Sequence, residues 1–111
     1  MSGKFVISKR NNGDFQFNLK AGNGQVILAS QGYADKAGAK NGVESVRKNS
    51  ADDGRFERKT SSNGKPFFNL LASNGQIIGT SEMYESEAAR DNGIKSVKTN
   101  APEATLADET A

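Results

Sequence analysis

The side chains that could do chemistry in this chain are hydroxyls, carboxylates, lysines and two tyrosines, because it contains no histidine and no cysteine. Thiol nucleophiles, thiolate metal sites and disulfides are therefore excluded. Ser45-Val46-Arg47-Lys48 matches a bare Ser-x-x-Lys motif, but the companion motifs Ser-Asp-Asn and Lys-Thr-Gly are both missing. Only Asp, Glu, Lys or Tyr side chains could act as a general base in this chain. We expect no catalytic residue and interpret the protein as not an enzyme.

Five carboxylates near two junctions of the chain could suit a hard cation such as Mg²⁺ or Ca²⁺. They are Asp52, Asp53, Glu103, Asp108 and Glu109. They follow no ligand spacing, so a solvated acidic surface explains them better, and we expect neither a metal nor a cofactor. The stretch Gly64-Lys65-Pro66 lacks the Ser or Thr and the upstream glycine of a phosphate-binding loop. Tyr33 and Tyr84 suit ring packing before a helix better than catalysis.

These residues are positioned by an internal repeat. The stretch from Gly3 to Ala51 recurs from Gly54 to Pro102 at a constant offset of 51, and 20 of the 49 aligned positions are identical. Chance would match about one position in sixteen, so the duplication is real. One repeat is too short to bury a stable core alone. We predict a single domain over 1–111, made of repeats 3–53 and 54–104, with a mobile C-terminal tail at 105–111.

Each repeat shows the pattern of three strands and a helix. In the first repeat we predict strands at 4–9, 15–21 and 25–30, and the third strand is apolar on both faces. Asn12-Gly13 would supply the two positive-φ residues of a two-residue hairpin turn. Asp35 is the expected N-cap of a helix at 36–48.

The second repeat predicts strands at 55–59, 67–72 and 76–81, a helix that starts after Ser86 and runs through Lys98, and a short strand near 104–107. Each helix carries a stripe of small and branched residues along one side. In the first helix these residues are Gly38, Gly42, Val43 and Val46. The recurrence of Gly42 as Gly93 predicts close packing of helix on sheet. The fold class is α+β: two tandem βββα(β) repeats forming one mainly antiparallel sheet, with both helices on one face and pseudo-twofold symmetry.

Both copies carry a motif that resembles the bacterial YegP-like family. In the first copy its residues are Phe17-Asn18-Leu19, Asn23-Gly24-Gln25, Tyr33 and Asn41-Gly42-Val43-Glu44-Ser45-Val46. The resemblance covers nearly the whole chain. It implies βββα units followed by a short strand, assembled into one sheet, with single-repeat members pairing as dimers and exchanging their final strands. It implies no activity, because no biochemical role is established for that family.

The candidate binding face lies on the middle strand of each repeat. Asn18 and Asn69 occupy the same outward position, and Phe67 and Leu71 stand where the first repeat has Gln16 and Lys20. An exposed apolar patch often marks a contact surface. The face predicted for binding therefore comprises Asn18, Lys20, Phe67, Asn69 and Leu71. The competing interpretations are that each asparagine satisfies a neighbouring strand and that the C-terminal tail covers the apolar pair.

Charge is unevenly distributed. Residues 1–50 carry eight Lys/Arg and three Asp/Glu, a net +5, and residues 51–111 carry seven and ten, a net −3. Our first hypothesis is a non-catalytic binding or interaction module for a protein partner, acting through a sheet face or the cleft on the pseudo-twofold axis. The alternative is a nucleic-acid-binding protein that uses the basic first repeat. Its basic residues are Lys4, Lys9, Arg10, Lys20, Lys36, Lys40, Arg47 and Lys48.

The chain has no apolar run of 18 residues and no apolar leader after Met1. We therefore expect a cytoplasmic protein with no membrane segment. Because the duplication already joins two equivalent units, we expect a monomer that contains an internal pseudo-dimer.

Overall fold

A computed structural model describes residues 3–110. Its strands are β1 (Lys4–Lys9), β2 (Phe15–Lys20), β3 (Val26–Ala29), β4 (Phe56–Thr60), β5 (Pro66–Leu71), β6 (Ile77–Thr80) and β7 (Thr105–Asp108), and its helices are α1 (Lys36–Asn49) and α2 (Glu87–Asn100). The strands form one sheet in the order β4-β5-β6-β3-β2-β1-β7. All neighbours are antiparallel except β1 and β7, which are parallel. The predicted mixed α+β fold with a mainly antiparallel sheet and two repeats is confirmed.

The end of the chain differs from the expected boundary. Residues 105–108, where we predicted a short strand near 104–107 but which we also counted in a mobile tail, form β7 and pair with β1 in the register Lys4–Thr105 to Ile7–Asp108. The strand is held by its backbone, since the Thr105 N–H donates to the Gly3 carbonyl (3.2 Å) and the Glu109 N–H to the Ile7 carbonyl (2.9 Å). The residues at 1, 2 and 111, which include the ends of the predicted domain and tail, lie outside the described residues.

The hairpin turns are not the two-residue type that we expected. Within residues 3–110 only glycines have positive φ, and Gly13 has a φ of 93°. Asn12 stays at negative φ because its side-chain oxygen accepts from the Asp14 N–H (3.0 Å), so a local side-chain bond stabilises the turn. The Gly13 N–H donates to the Arg10 carbonyl (3.0 Å). The loop is therefore longer, with the left-handed conformation left to glycine.

The apolar residues of β3 are explained by a β-bulge and not by cover on both faces of the strand. The pairing of β2 with β3 shifts register between Leu19 and Lys20, which is a β-bulge. Ile27 and Leu28 are therefore both buried in the core although they are consecutive, whereas Ala29 is exposed. The residues of β3 are apolar as predicted, but the exposed Ala29 shows that the strand is not covered on both faces.

One cluster of buried residues contains side chains from both repeats and both helices. From α1 the buried residues are Ala39, Gly42, Val43, Val46 and Asn49. Gly38, which we placed on the inward stripe, is half-buried, and Ala39 takes the inward position. A Cβ on Gly42 would lie 2.7 Å from a Phe17 ring carbon and against the Tyr33 hydroxyl. The glycine thus makes room for the aromatic corner rather than for the sheet backbone.

Both repeats build that corner in the same way. The rings of Phe17 and Tyr33 stack with centroids 6.2 Å apart, and those of Phe68 and Tyr84 with centroids 6.4 Å apart. At the centre of the sheet, β3 pairs with β6 through Ala29 and Thr80. These two residues are counterparts at the repeat offset of 51.

Candidate binding face

The candidate binding residues are positioned by the alternation of side chains along β2 and β5. Phe17 and Leu19 of β2 are fully buried in the core, and so are Phe68 and Leu70 of β5. The residues between and beside them therefore point to the opposite side of the sheet. We call this side the open face. It carries all five predicted binding residues.

The strand registers place the two asparagines in a single row across the sheet. Asn18 lies opposite Ala29, Ala29 opposite Thr80, and Thr80 opposite Asn69. The row crosses four strands, so the two asparagines are about 14 Å apart at the usual strand spacing. The sequence alone could not give this distance, because the β3–β6 pairing joins the two repeats.

Asn69 and Asn18 nevertheless differ in how their amides are used. Asn69 is 6% exposed; its side-chain oxygen accepts from the Thr80 hydroxyl (2.8 Å) and its Nδ2 donates to Glu57 (3.1 Å). The corresponding neighbours of Asn18 are Val6 and Ala29, which offer no polar side chain. The Asn18 amide has no hydrogen-bond partner among residues 3–110. The neighbouring-strand explanation holds for Asn69 and fails for Asn18.

The open face is apolar on the β5 side. Phe67 and Leu71 are half-buried, and Ile77, the register partner of Leu71, is 40% exposed. β7 pairs with β1 at the far edge of the sheet, five strands from β5, which is about 24 Å at the usual spacing. The tail as far as residue 110 therefore does not cover this pair. Ile77 was missed because its side of the strand depends on the bulge between Leu70 and Leu71.

The open face is basic on the β2 side. Lys4 lies directly opposite Lys20, and both line a cleft of about 360 Å³ with Gly3, Gly22 and Thr105. Like charges directly opposite each other disfavour strand pairing. Other basic residues of the first repeat are bound elsewhere: Lys36 pairs with Asp108 (2.9 Å) and Arg47 with Glu44 (2.9 Å). Two of the eight basic residues that we grouped are therefore engaged in ion pairs.

The residues with catalytic potential are used in packing and pairing. The Ser45 hydroxyl accepts from Asn49 Nδ2 (3.2 Å), and Ser96 accepts from Asn100 in the same way (3.1 Å). Burial raises the pKa of the Tyr33 phenol, so it is a poor base at neutral pH.

Two of the carboxylates near the two junctions form ion pairs with lysines. Asp53 pairs with Lys98 (3.1 Å), and Asp108 pairs with Lys36 (2.9 Å). Within residues 3–110 no group of three acidic side chains is placed to hold a metal ion. No helix among the described residues is long and apolar enough to span a membrane.

A groove that the sequence did not indicate lies between α1 and the turn that joins β5 to β6. It has a volume of about 760 Å³ and is lined in part by Tyr33, Asn41, Ser45, Asn74 and Gln76. It arises where the helix of one repeat packs beside the hairpin of the other. No signal within a single repeat could have predicted it.

Comparison with known proteins shows the family and confirms the fold. A family model described as Domain of unknown function (DUF1508) matches residues 11–57 and 61–108. A UPF0339 protein in the ptx operon 5′ region of Stutzerimonas stutzeri is 57% identical over 108 residues, which is 97% of each chain. The UPF0339 protein YegP of Shigella flexneri is 51% identical over 99% of this chain and 100% of that protein.

Two solution NMR structures are also similar. One is a UPF0339 protein from Shewanella oneidensis, with a TM-score of 0.93 and 55% identity over 99% of this chain and 93% of that chain. The other is the protein of unknown function yegP from E. coli, with a TM-score of 0.94 and 50% identity over 100% of this chain and 96% of that chain. These descriptions name no activity.

Proposed function

Since the chain belongs to the family described as Domain of unknown function (DUF1508), as its resemblance to the YegP-like proteins predicted, we propose that it is a non-catalytic binding module that contacts a partner protein through the open face. The observation that carries the proposal is the row that runs from the unpaired amide of Asn18 to Asn69. Asn69 lies on β5 between Phe67 and Leu71, which form an apolar patch with Ile77. An apolar centre beside polar groups is the usual anatomy of a protein contact surface.

The proposal includes an arrangement in which both helices cover the side of the sheet opposite the open face. It is supported by the single buried cluster, which contains Val43 of α1 and Ile94 of α2 with Phe17 and Phe68 of the sheet. Methyl-to-ring nuclear Overhauser effects from Val43 to Phe17 and from Ile94 to Phe68 test this arrangement. Effects from Val43 or Ile94 to Phe67 would contradict it.

We further propose that a pseudo-twofold axis passes beside the pair formed by Ala29 and Thr80. Two counterpart residues that pair directly with each other are what such an axis requires. A second support is the matched contact of Arg47 with the Ala104 carbonyl (2.6 Å) and of Lys98 with Asp53 (3.1 Å), since each residue in one contact has its counterpart in the other. Leu28 packs against Gly79, its own counterpart, and so fills the space next to the axis. The open face is therefore favoured over a cleft on the axis as the contact surface.

A partner that fits the open face presents apolar side chains to the β5 side and hydrogen-bond acceptors or acids to Asn18, Lys4 and Lys20. The matched variant is Phe67→Gln with Leu71→Lys, because it installs the residues that β2 carries at the same positions. These side chains are only half-buried, so the variant is expected to fold. Met83→Gln is the control, because Met83 is 46% exposed but lies outside the strands.

The test is quantitative cross-linking in a lysate of the source cells, with wild-type protein and both variants at equal concentration. We expect a discrete adduct with wild type and with Met83→Gln that is lost with the double variant. Equal adducts for all three proteins, or none, would overturn the proposal. Light scattering of the purified chain checks the monomer that the proposal assumes.

A second candidate function, contact with a nucleic-acid backbone, is favoured by the direct opposition of Lys4 and Lys20 beside the unpaired Asn18 amide. A phosphate between the two ammonium groups would relieve their repulsion. Fluorescence anisotropy with single-stranded and duplex oligonucleotides at low salt distinguishes the two candidates. Binding that is lost in the Lys20→Gln variant but kept by Phe67→Gln with Leu71→Lys supports this second function, and absence of binding refutes it.

A further inference from the structure

Within residues 3–110 the sheet ends in two edge strands, β4 and β7, and the outer edge of β4 has no neighbour. β1, β4 and β7 start at residues 4, 56 and 105, which are nearly equivalent positions when the chain is aligned with itself at the offset of 51. β1 carries β7 alongside it in parallel, but β4 is the last strand at its end of the sheet. The two ends of the sheet are therefore not equivalent.

The chain reaches both ends of the sheet through matched contacts. Before β7, the Arg47 guanidinium donates to the Ala104 carbonyl (2.6 Å), and before β4, the Lys98 ammonium donates to Asp53 (3.1 Å). After Ala104 the chain continues as β7 beside β1. After Asp53 it becomes β4 itself, so none of the strands formed by residues 3–110 lies beside the outer edge of β4.

The backbone groups that are free at the outer edge of β4 can be inferred from the groups of β1 that bind β7, because β1 and β4 are counterparts in the repeat. The Ile7 carbonyl accepts from the Glu109 N–H (2.9 Å), so the backbone of Ile7 faces β7, and its counterpart Arg58 faces the free edge. The Phe56 N–H already donates to the Asp53 carbonyl. The groups left at the edge are thus the Phe56 carbonyl, the Arg58 N–H and carbonyl, and the Thr60 N–H. They suit a short strand like β7, which has four residues.

The side chains of this edge favour an acidic occupant. Glu57, Arg58 and Lys59 replace Val6, Ile7 and Ser8 of the first repeat, a net gain of one positive charge. The Arg58 side chain is 39% exposed and pairs with Asp91 (3.2 Å) and, more loosely, with Asp53 (3.9 Å). Charged side chains on an edge strand discourage pairing with other strands, so a segment that binds here needs charges that complement them. In β7, Asp108 lies opposite Ile7, so an acid at the same register beside β4 would lie opposite Arg58.

We propose that the β4 edge binds an extended acidic segment of a partner protein by strand addition. The segment runs parallel to β4, resembles β7 in its small and apolar residues, and carries Asp or Glu opposite Arg58. The segment would be held by the outer backbone edge of β4 and by Arg58, and not by the five residues of the predicted binding face, so the inference does not depend on the function proposed above.

The test uses the full-length chain labelled with ¹⁵N and an acetylated, amidated peptide with the sequence of residues 103–110, Glu-Ala-Thr-Leu-Ala-Asp-Glu-Thr. We expect amide shifts and slower hydrogen exchange at Arg58 and Thr60. The peptide with Asp108→Lys should bind about three- to fivefold more weakly, which is the effect of one exposed ion pair.

Two protein variants complete the test. Arg58→Ile installs the residue found at the first-repeat counterpart, and it should weaken binding by the same factor. Lys40→Gln, at an exposed position of α1, should leave the affinity unchanged. The proposal is overturned if the peptide causes no shifts at millimolar concentration or binds as well after charge reversal. It is also overturned if the shifts fall on β1 while the signals of β7 are lost.

Discussion

Replacing the buried helix glycine at position 42 with alanine should destabilise the protein, although the same change at an exposed helix position stabilises. Alanine is favoured over glycine inside a helix by about 1 kcal/mol. At Gly42, however, the new Cβ would lie 2.7 Å from a Phe17 ring carbon and against the Tyr33 hydroxyl, and overpacking costs about 1–3 kcal/mol. We therefore expect Gly42→Ala to lower the free energy of unfolding by about 0–2 kcal/mol.

The matched control is Gly38→Ala, because the second repeat already has alanine at the counterpart position, Ala89. There the added Cβ would lie 3.1 Å from Asp35 and 3.3 Å from Tyr33, which small shifts can relieve. Gly38→Ala should raise the free energy of unfolding by up to about 1 kcal/mol.

Urea unfolding of both variants, with Tyr33→Phe and Gly42→Ala/Tyr33→Phe to complete a double-mutant cycle, measures the contact directly. Removing the hydroxyl should recover about 0.5 kcal/mol or more of the loss. If Gly42→Ala stabilises the chain as much as Gly38→Ala does, the aromatic corner is not what requires the glycine.

Three further predictions follow from contacts described above. Asn69→Ala should cost about 1–2 kcal/mol in urea unfolding because its hydrogen bonds to two strands are lost, whereas Asn18→Ala should change stability by less than about 0.5 kcal/mol; equal costs would contradict the difference in their partners. The Thr110 hydroxyl and then the Lys36 ammonium lower the pKa of Asp108, so its ionised form stabilises the fold. The difference in unfolding free energy between wild type and Asp108→Asn should be constant down to about pH 5 and shrink as the pH falls below about 4; a difference that grows in acid has the wrong sign. Arg47→Met should lose the bond to the connection before β7 and speed amide exchange in that strand, measured by NMR, and unchanged exchange would refute this anchoring role.

Local signals in the sequence were enough for the elements and for the packing of the two tyrosines, but they misplaced Gly38 on the inward stripe. Asp35 caps α1 by accepting from the Gly38 N–H (2.7 Å), and Ser86 caps α2 in the same way. Both were visible because a cap depends on residues within one turn. The bulge at Leu19 could not be predicted, because it depends on how β2 and β3 pair rather than on either strand alone.

The candidate face was predictable only in part. Alternation along β2 and β5 identified its five residues, but not that Asn18 and Asn69 share a row, because the β3–β6 pairing between repeats sets that row. The different use of the two amides depends on which residues lie beside them across the strands. Glu57 and Thr80 flank one, and Val6 and Ala29 flank the other. The groove beside α1 escaped prediction for the same reason.

Site-specific photo-cross-linking from the open face tests the proposed contact surface most directly. A photoreactive phenylalanine analogue at position 67 conserves the aromatic ring of Phe67, and the same analogue at the exposed Lys95 of α2 serves as the control. We predict a protein adduct from position 67 that disappears when Leu71→Lys is added, and no adduct from position 95. Adducts of equal yield from both positions, or an adduct from position 67 that Leu71→Lys leaves intact, would contradict a binding role for the open face.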